Sequence, residues 1–426
     1  MAATSATLDV RLLRIATAGS VDDGKSTLVG RLLLDSGSVF ADQFDALASG
    51  GSIDLALLTD GLRAEREQGI TIDVAHRYFS TTRRRFALAD TPGHVQYNRN
   101  SISGMSAADV AVVLVDARLS VQDQTRRHLA TAALLRVPHV LVTVNKMDAV
   151  GYDAGRFAAV ARDVLACTRQ LGIDDVTVIP VSALAGDNVV TRSSTMDWYT
   201  GPALLEHLEQ VPVTPPAPGA ARLFVQCVLK DVRGTGDIVR SYAGRLTSGS
   251  LKAGDEVVVL PCGATTTVTA VSRLGEPAEE VFPGDSVELG LADHVDVSRG
   301  DLIAAPVAPV PAASFTAVLC AVSERAVRPG DPVLVKHGTR TVRAVLGEIH
   351  SGLDLETLRY VPGLKSVGGN DIAVVSVRTA EPLPVEDYAT DRETGSFLVL
   401  DADDGGTLAA GMAGEMATRP RGGGPR

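Results

Sequence analysis

Residues 12–28 read LLRIATAGSVDDGKSTL: an apolar run, a turn rich in glycine and aspartate, then the opening of a helix-like segment. Gly19, Ser20, Val21, Asp22, Asp23, Gly24, Lys25 and Ser26 fit the spacing G-x-x-x-x-G-K-[ST]. Each part of that pattern has a physical reason. The glycines let successive backbone N–H groups curl around a phosphate, and Lys25 supplies a point charge to its oxygens. The Ser26 hydroxyl can ligate Mg2+, and Thr27 stands in the first helical turn, where free backbone N–H groups point at an anion. The adjacent carboxylates Asp22 and Asp23 are the oddity in a loop shaped for an anion. Asp22 can face a monovalent cation, leaving the amides and Lys25 to meet the phosphate.

Working outward, RRFALAD (84–90), DVAVVLVDA (109–117), VPHVLVTVNKMD (137–148) and VTVIPVSAL (176–184) are strand-like runs separated by longer amphipathic stretches. That alternation predicts a mostly parallel α/β sheet. Ligands of such sheets bind beyond the carboxyl ends of the strands, so the polar residues that end each run are candidate site residues. After the first run come Asp90, Thr91, Pro92, Gly93 and His94. The carboxylate can hold Mg2+ through water, the Gly93 N–H can meet a γ-phosphate, and His94 stands where an attacking water must be oriented. Asn145, Lys146, Met147 and Asp148 end a later run. An aspartate in the fourth place accepts hydrogen bonds from N1–H and the exocyclic amine of guanine, a pair adenine does not offer. Asn145 can brace the loop, and the Lys146 stem can cover the base. Ser182, Ala183 and Leu184 end the next run, placing the Ala183 N–H for the guanine O6. Thr71, in EREQGITIDV, offers a hydroxyl and a carbonyl to the metal and γ-phosphate, and a ligand on such a segment makes the γ-phosphate a switch. Read together, these fragments specify GTP with Mg2+, and hydrolysis of the γ-phosphate.

The texture changes after VPVTPPAPGAA (211–221). LFVQCVL, SYAGRL, DEVVVL, TTVTAVS and DSVELGL are short, β-branched and separated by Gly, Pro or Asp, which predicts a small antiparallel barrel. A second proline-rich break, APVAPVPAA (305–313), precedes another all-β stretch. The expected organisation is a disordered N-terminus over 1–9, a GTP-binding domain over 10–212 and a linker over 213–221. Barrel domains follow over 222–306 and 314–415, with a disordered Gly/Pro/Arg tail over 416–426.

Composition limits the alternatives. The net charge of −11 argues against broad electrostatic capture of nucleic acid. No apolar run approaches a bilayer span, and the N-terminus lacks the pattern of a secretory signal. Four dispersed cysteines without CxxC spacing favour a reducing cytoplasm.

The GTP-binding fragments and the two barrels together resemble the translation-factor class of GTPases. Within that class, SVDDGKS, TDGLRAEREQGITIDVAHRYFS, DTPGHVQYNRNSISGM, KHGTRTVRA and RETGSFLVLDADDGGTLAAGM resemble the GTP-binding large subunit of bacterial sulfate adenylyltransferase. The likeness runs from about Leu13 to about Met412. It implies a small catalytic partner subunit, in a heterodimer or higher assembly, that makes adenylyl sulfate and pyrophosphate from ATP and sulfate, coupled to GTP hydrolysis on this chain. Asp23 stands where elongation factors carry histidine. VRGTGDIVRSYAG, LCAVSE and GGNDIA depart from the family's pattern and bear on its partner contacts. The rival reading is an elongation-type factor that carries aminoacyl-tRNA, and a paralogue serving a dedicated sulfation pathway is a second alternative. Arg83, Arg84 and Arg85 read as a solvated hairpin tip, and Trp198 with Tyr199 as packing beneath the linker.

Overall fold

The computed structural model describes residues 12–37, 55, 73–213, 219–232, 238–305 and 307–414. Thr71 and the expected disordered ends lie outside the described residues. The chain forms two compact units, one holding an α/β domain and the other a pair of β-barrels. No described helix is long and apolar enough to cross a membrane.

The α/β domain contains β1 (Leu12–Ala18), β2 (Ala75–Ser80), β3 (Arg85–Asp90), β4 (Val110–Asp116), β5 (His139–Asn145) and β6 (Val176–Pro180). They lie side by side in the order β2-β3-β1-β4-β5-β6, parallel throughout except for antiparallel β2–β3. Every position of β4 is buried, which is why its sequence is an unbroken apolar run instead of an alternation. Helix Lys25–Asp35 lays Leu28, Val29, Leu32 and Leu33 into the core formed with Leu13, Ile15 and Leu88, one stripe at helical spacing. Each such side chain removed from water contributes roughly 1.5–3 kcal/mol. Because β1 lies between β3 and β4, chain order reverses beside it, and the carboxyl ends of the strands at such a reversal are where ligands of open α/β sheets bind.

The first barrel runs β7 (Ala221–Val232), β8 (Ile238–Ser248), β9 (Leu251–Lys252), β10 (Glu256–Leu260), β11 (Ala264–Arg273), β12 (Glu276–Pro277), β13 (Glu280–Val281), β14 (Ser286–Leu291) and β15 (Leu302–Ala305). Its order, β10-β15-β7-β8-β14-β11, closes through β10–β11. The second runs β16 (Ala312–Ala321), β17 (Pro332–His337), β18 (Arg340–Asp354), β19 (Arg359–Val361), β20 (Ile372–Leu383), β21 (Ser396–Asp401) and β22 (Thr407–Ala413). The order β17-β21-β22-β16-β20-β18 closes through β17–β18. Closure leaves neither ring with an unpaired edge. The architecture is the expected one, an α/β domain with a mostly parallel sheet followed by two all-β barrels. One local expectation changes: Arg84 is no solvated turn residue, because its guanidinium donates to the Leu208 carbonyl at 3.0 Å and to the Val211 carbonyl. It thereby caps the C-terminal end of helix Leu204–Gln210, where a cation is favoured.

Candidate functional site

The loop after β1 closes on itself before any ligand is considered. Val21–Asp23 forms one 3-10 turn, and Gly24 follows at φ +90°, a left-handed conformation that leads directly into helix Lys25–Asp35. Glycine is required there twice over. A side chain would be strained at that φ, and a Cβ would lie 2.6 Å from Asn145 Nδ2. Lys25 is buried, and its Nζ donates to the carbonyls of Gly19 at 2.8 Å and Ser20 at 2.9 Å. Burial lowers the affinity of its amine for a proton, while Asp90, Asp23 and Asp22 act in the opposite direction. Ser26 and Thr27 are half-buried at the start of the helix, Val21 and Asp22 are exposed, and Asp23 is buried.

The segment after β3 packs against this loop. Asp90 accepts from the Thr17 hydroxyl at 2.7 Å, Thr91 Oγ1 donates to the Thr17 carbonyl at 2.5 Å, and the Pro92 carbonyl accepts from Ser101 Oγ at 3.0 Å. A Cβ at Gly93 would collide with Lys25 Nζ and come within 2.5 Å of the Gly19 carbonyl oxygen. The chain therefore passes the loop at a distance only glycine allows. His94 is exposed, its ring edge-on to Tyr97 at 6.2 Å between centroids.

Two further loops are tied to the first by side chains. Asn145 is buried; its Nδ2 donates to the Asp23 carbonyl at 2.7 Å, and its Oδ1 accepts from the Ala183 N–H at 3.0 Å. One amide thus joins three chain segments, with each bond worth on the order of 1 kcal/mol net. Lys146, at φ 62°, reaches the Asp22 carbonyl, and Met147 is buried. Asp148 is half-buried, and its Oδ1 accepts from Ser182 Oγ at 2.6 Å. Ser182 and Ala183 are buried and Leu184 is exposed, while Arg31 donates to the Ala183 carbonyl at 3.2 Å. The structure therefore gathers the candidates at 19–27, 90–94, 145–148 and 182–184 at one end of the sheet. Helix-start amides, a buried ammonium, a hydroxyl and a close-passing glycine form a cradle that fits a magnesium-bound nucleotide phosphate.

A family model for the elongation factor Tu GTP binding domain matches residues 10–214, and one for a GTP-eEF1A C-terminal domain-like module matches residues 314–413. A sulfate adenylyltransferase subunit 1 from Cellvibrio japonicus is 43% identical over 418 residues, 95% of this chain and 87% of that one. The chain belongs to the sulfate adenylyltransferase subunit 1 family. A subunit 1 from Methylorubrum populi is 44% identical over 411 residues, 94% of this chain and 86% of that one. A bifunctional enzyme CysN/CysC from Mycobacterium tuberculosis is 48% identical over 410 residues, and this chain spans 67% of its length.

This member of the sulfate adenylyltransferase subunit 1 family also surrounds the site with residues to which the sequence reading gave no role. Asp116, at the carboxyl end of β4, is 1% exposed and accepts from Arg118 Nε and Nη2 at 3.0 and 2.7 Å. It also pairs with Lys146 Nζ at 3.0 Å. Burial pushes its carboxyl up, but the Arg118 fork, the Arg118 N–H and Lys146 outweigh burial and hold it down at about 2. Its place as the polar end of a strand-like run was the available signal. His128, in helix Asp123–Leu134, is fully buried beside Lys25 and lies 3.3 Å from Gln124 Nε2. No motif marks it.

Proposed function

We propose that this chain is the GTPase subunit of a heteromeric sulfate adenylyltransferase. In this reading GTP hydrolysis drives the formation of adenosine 5'-phosphosulfate and pyrophosphate from ATP and sulfate on a smaller catalytic subunit. The observation that carries the proposal is identity to subunit 1 relatives across nine-tenths of the chain, and the Asn145 side chain that ties the loop after β1 to Ala183 supports it.

The residues divide the work. Loop amides from Gly19 to Thr27 and the Lys25 ammonium bind the phosphates. Ser26, with Thr71 on sequence grounds, would hold Mg2+, and the Asp90 carboxylate would support it. The metal, when bound, neutralises charge on the β and γ oxygens. Gly93 brings its N–H toward the γ-phosphate, and His94, exposed beside it, orients the hydrolytic water. Asp148, fixed by Ser182, accepts from the guanine edge, and the Ala183 N–H meets O6. Asn145 keeps these loops in register.

The test is co-purification of the full chain with its candidate small subunit, followed by adenylyl sulfate synthesis with and without GTP. A stable complex whose synthesis rises at least tenfold with GTP is the expected result. Synthesis indifferent to GTP, or GTP-dependent binding of aminoacyl-tRNA in place of the small subunit, overturns the proposal.

A further inference from the structure

We propose that the Asp23 carboxylate is a fixed negative charge inside the phosphate loop that loosens its hold on nucleotide and sets a rapid release of GDP. The inference rests on the reading of this loop as a GTP site and asks what its most unusual residue does there.

Asp23 is not an exposed loop acid. Its side chain is buried, 4% exposed, and its Oδ2 accepts from the Ser20 N–H at 2.6 Å. The same Oδ2 lies 3.2 Å from the point a Cβ on Gly19 would occupy, so the carboxylate sits under the start of the loop. Its own carbonyl is held by Asn145 at 2.7 Å. One residue therefore closes the Val21–Asp23 turn from both sides.

That closure has an electrostatic consequence. The loop binds an anion through N–H groups and the Lys25 ammonium. The Ser20 N–H is already engaged by a carboxylate, and Asp23 acts directly on Lys25. Burial pushes the Asp23 carboxyl up, with the Ser20 N–H, Lys25 and Lys146 acting in the opposite direction. In its ionised form, next to the phosphate cradle, it reduces the favourable potential there, in a low-dielectric interior where screening is weak. Asp90 acts on Lys25 as well, but it ends β3 outside the loop, bonded to the Thr17 hydroxyl at 2.7 Å, and Asp22 is exposed, so Asp23 is the buried carboxylate within the turn itself. An amide at position 23 keeps an acceptor for the Ser20 N–H and removes the charge. The geometry thus separates the structural bond from the charge.

The two contributions can be measured apart. On the full chain, the release of fluorescent mant-GDP chased by excess GTP is followed for wild type, Asp23→Asn and Asp23→Ser. Asp23→Asn is expected to slow release at least tenfold and tighten mant-GDP binding by a similar factor. Release from Asp23→Asn as fast as wild type, or faster, overturns the inference while leaving the GTP site intact. If Asp23→Asn fails to fold, Asp23→Ser decides: slowed release supports the inference and unchanged release overturns it. Failure of the wild type to bind mant-GDP at all refutes the underlying GTP reading and the inference with it.

Discussion

In the proposed GTP site Asp148 is the residue that selects the base, and its hydrogen bond from Ser182 sets how its carboxylate is presented. Ser182 Oγ donates to one carboxylate oxygen at 2.6 Å and also accepts from the Ala185 N–H at 3.1 Å, so the carboxylate is held in one orientation by a buried hydroxyl. A carboxylate presents only acceptors to a base edge. Asp148→Asn converts one of them to a donor, which faces the N1–H and amine of guanine unfavourably and suits the second oxo group of xanthine. The loss of one charge-assisted bond and the mismatch amount to about 3 kcal/mol, or roughly a hundredfold in GTP affinity. Calorimetric titration with GTP and XTP is the check: GTP should weaken by that factor and XTP should tighten. Unchanged selectivity would remove Asp148 from the base site. The motif residues were readable because each needs its neighbours at a fixed sequence spacing. Asn145 was readable only as a brace. That it joins the Asp23 carbonyl to the Ala183 N–H depends on segments far apart in the chain, which spacing does not encode.

At the scale of elements, the strand ends were predictable and the helix beneath the loop was not. Helix Asp123–Leu134 carries His128 in its buried stripe with Leu129 and Ala132, so an apolar pattern hides a titratable group. Burial pushes the His128 imidazole down to about 3, and nearby Lys25 adds to the effect. The sign of its pH dependence follows. Above pH ~6.5 both folded and unfolded chains carry it neutral, so there is no penalty. As pH falls below that value the unfolded chain takes up a proton that the folded chain refuses, and stability is lost progressively toward pH 3. Between pH 7 and pH 5 the loss from this residue is about 2 kcal/mol. His128→Gln removes the proton site and should flatten the pH dependence of urea unfolding by that amount over the same interval. An equal loss in variant and wild type would show that His128 is not the group responsible. Asp116 shows the opposite case. Its position at the end of β4 is the strand-end rule at work, yet its two cationic partners come from Arg118 and from Lys146 in a different loop. The sequence marks such a residue as polar and well placed without naming what it holds.

For the whole molecule, the two barrels and their strand-like segments were legible, while the strand order that closes each barrel and the joint between barrels were not. Closure needs β10 to pair with both β11 and β15, and β17 with both β18 and β21, so partners come from both near and far along the chain. The joint is more specific still. Arg222 of β7 donates from Nε and Nη2 to Glu386 at 2.8 and 2.9 Å, and Thr394 Oγ1 donates to the same carboxylate at 2.8 Å. Arg340 bonds Asp301 at 2.9 Å across the same pair of barrels, and the Phe224 and His337 rings meet edge-to-face at 5.2 Å. Arg222 and Glu386 are largely removed from water, at 6% and 18% side-chain exposure, so their desolvation is offset only while both are present. Removing one leaves the other charge buried without its counter-ion. Arg222→Ala should therefore cost about 3 kcal/mol in the urea transition of the barrel pair. A paired apolar replacement, Arg222→Met with Glu386→Leu, should restore most of that loss, because neither charge then remains to be solvated. A single variant that loses less than about 1 kcal/mol, a value typical of exposed ion pairs, would mean that water reaches this joint and that packing alone holds the barrels together.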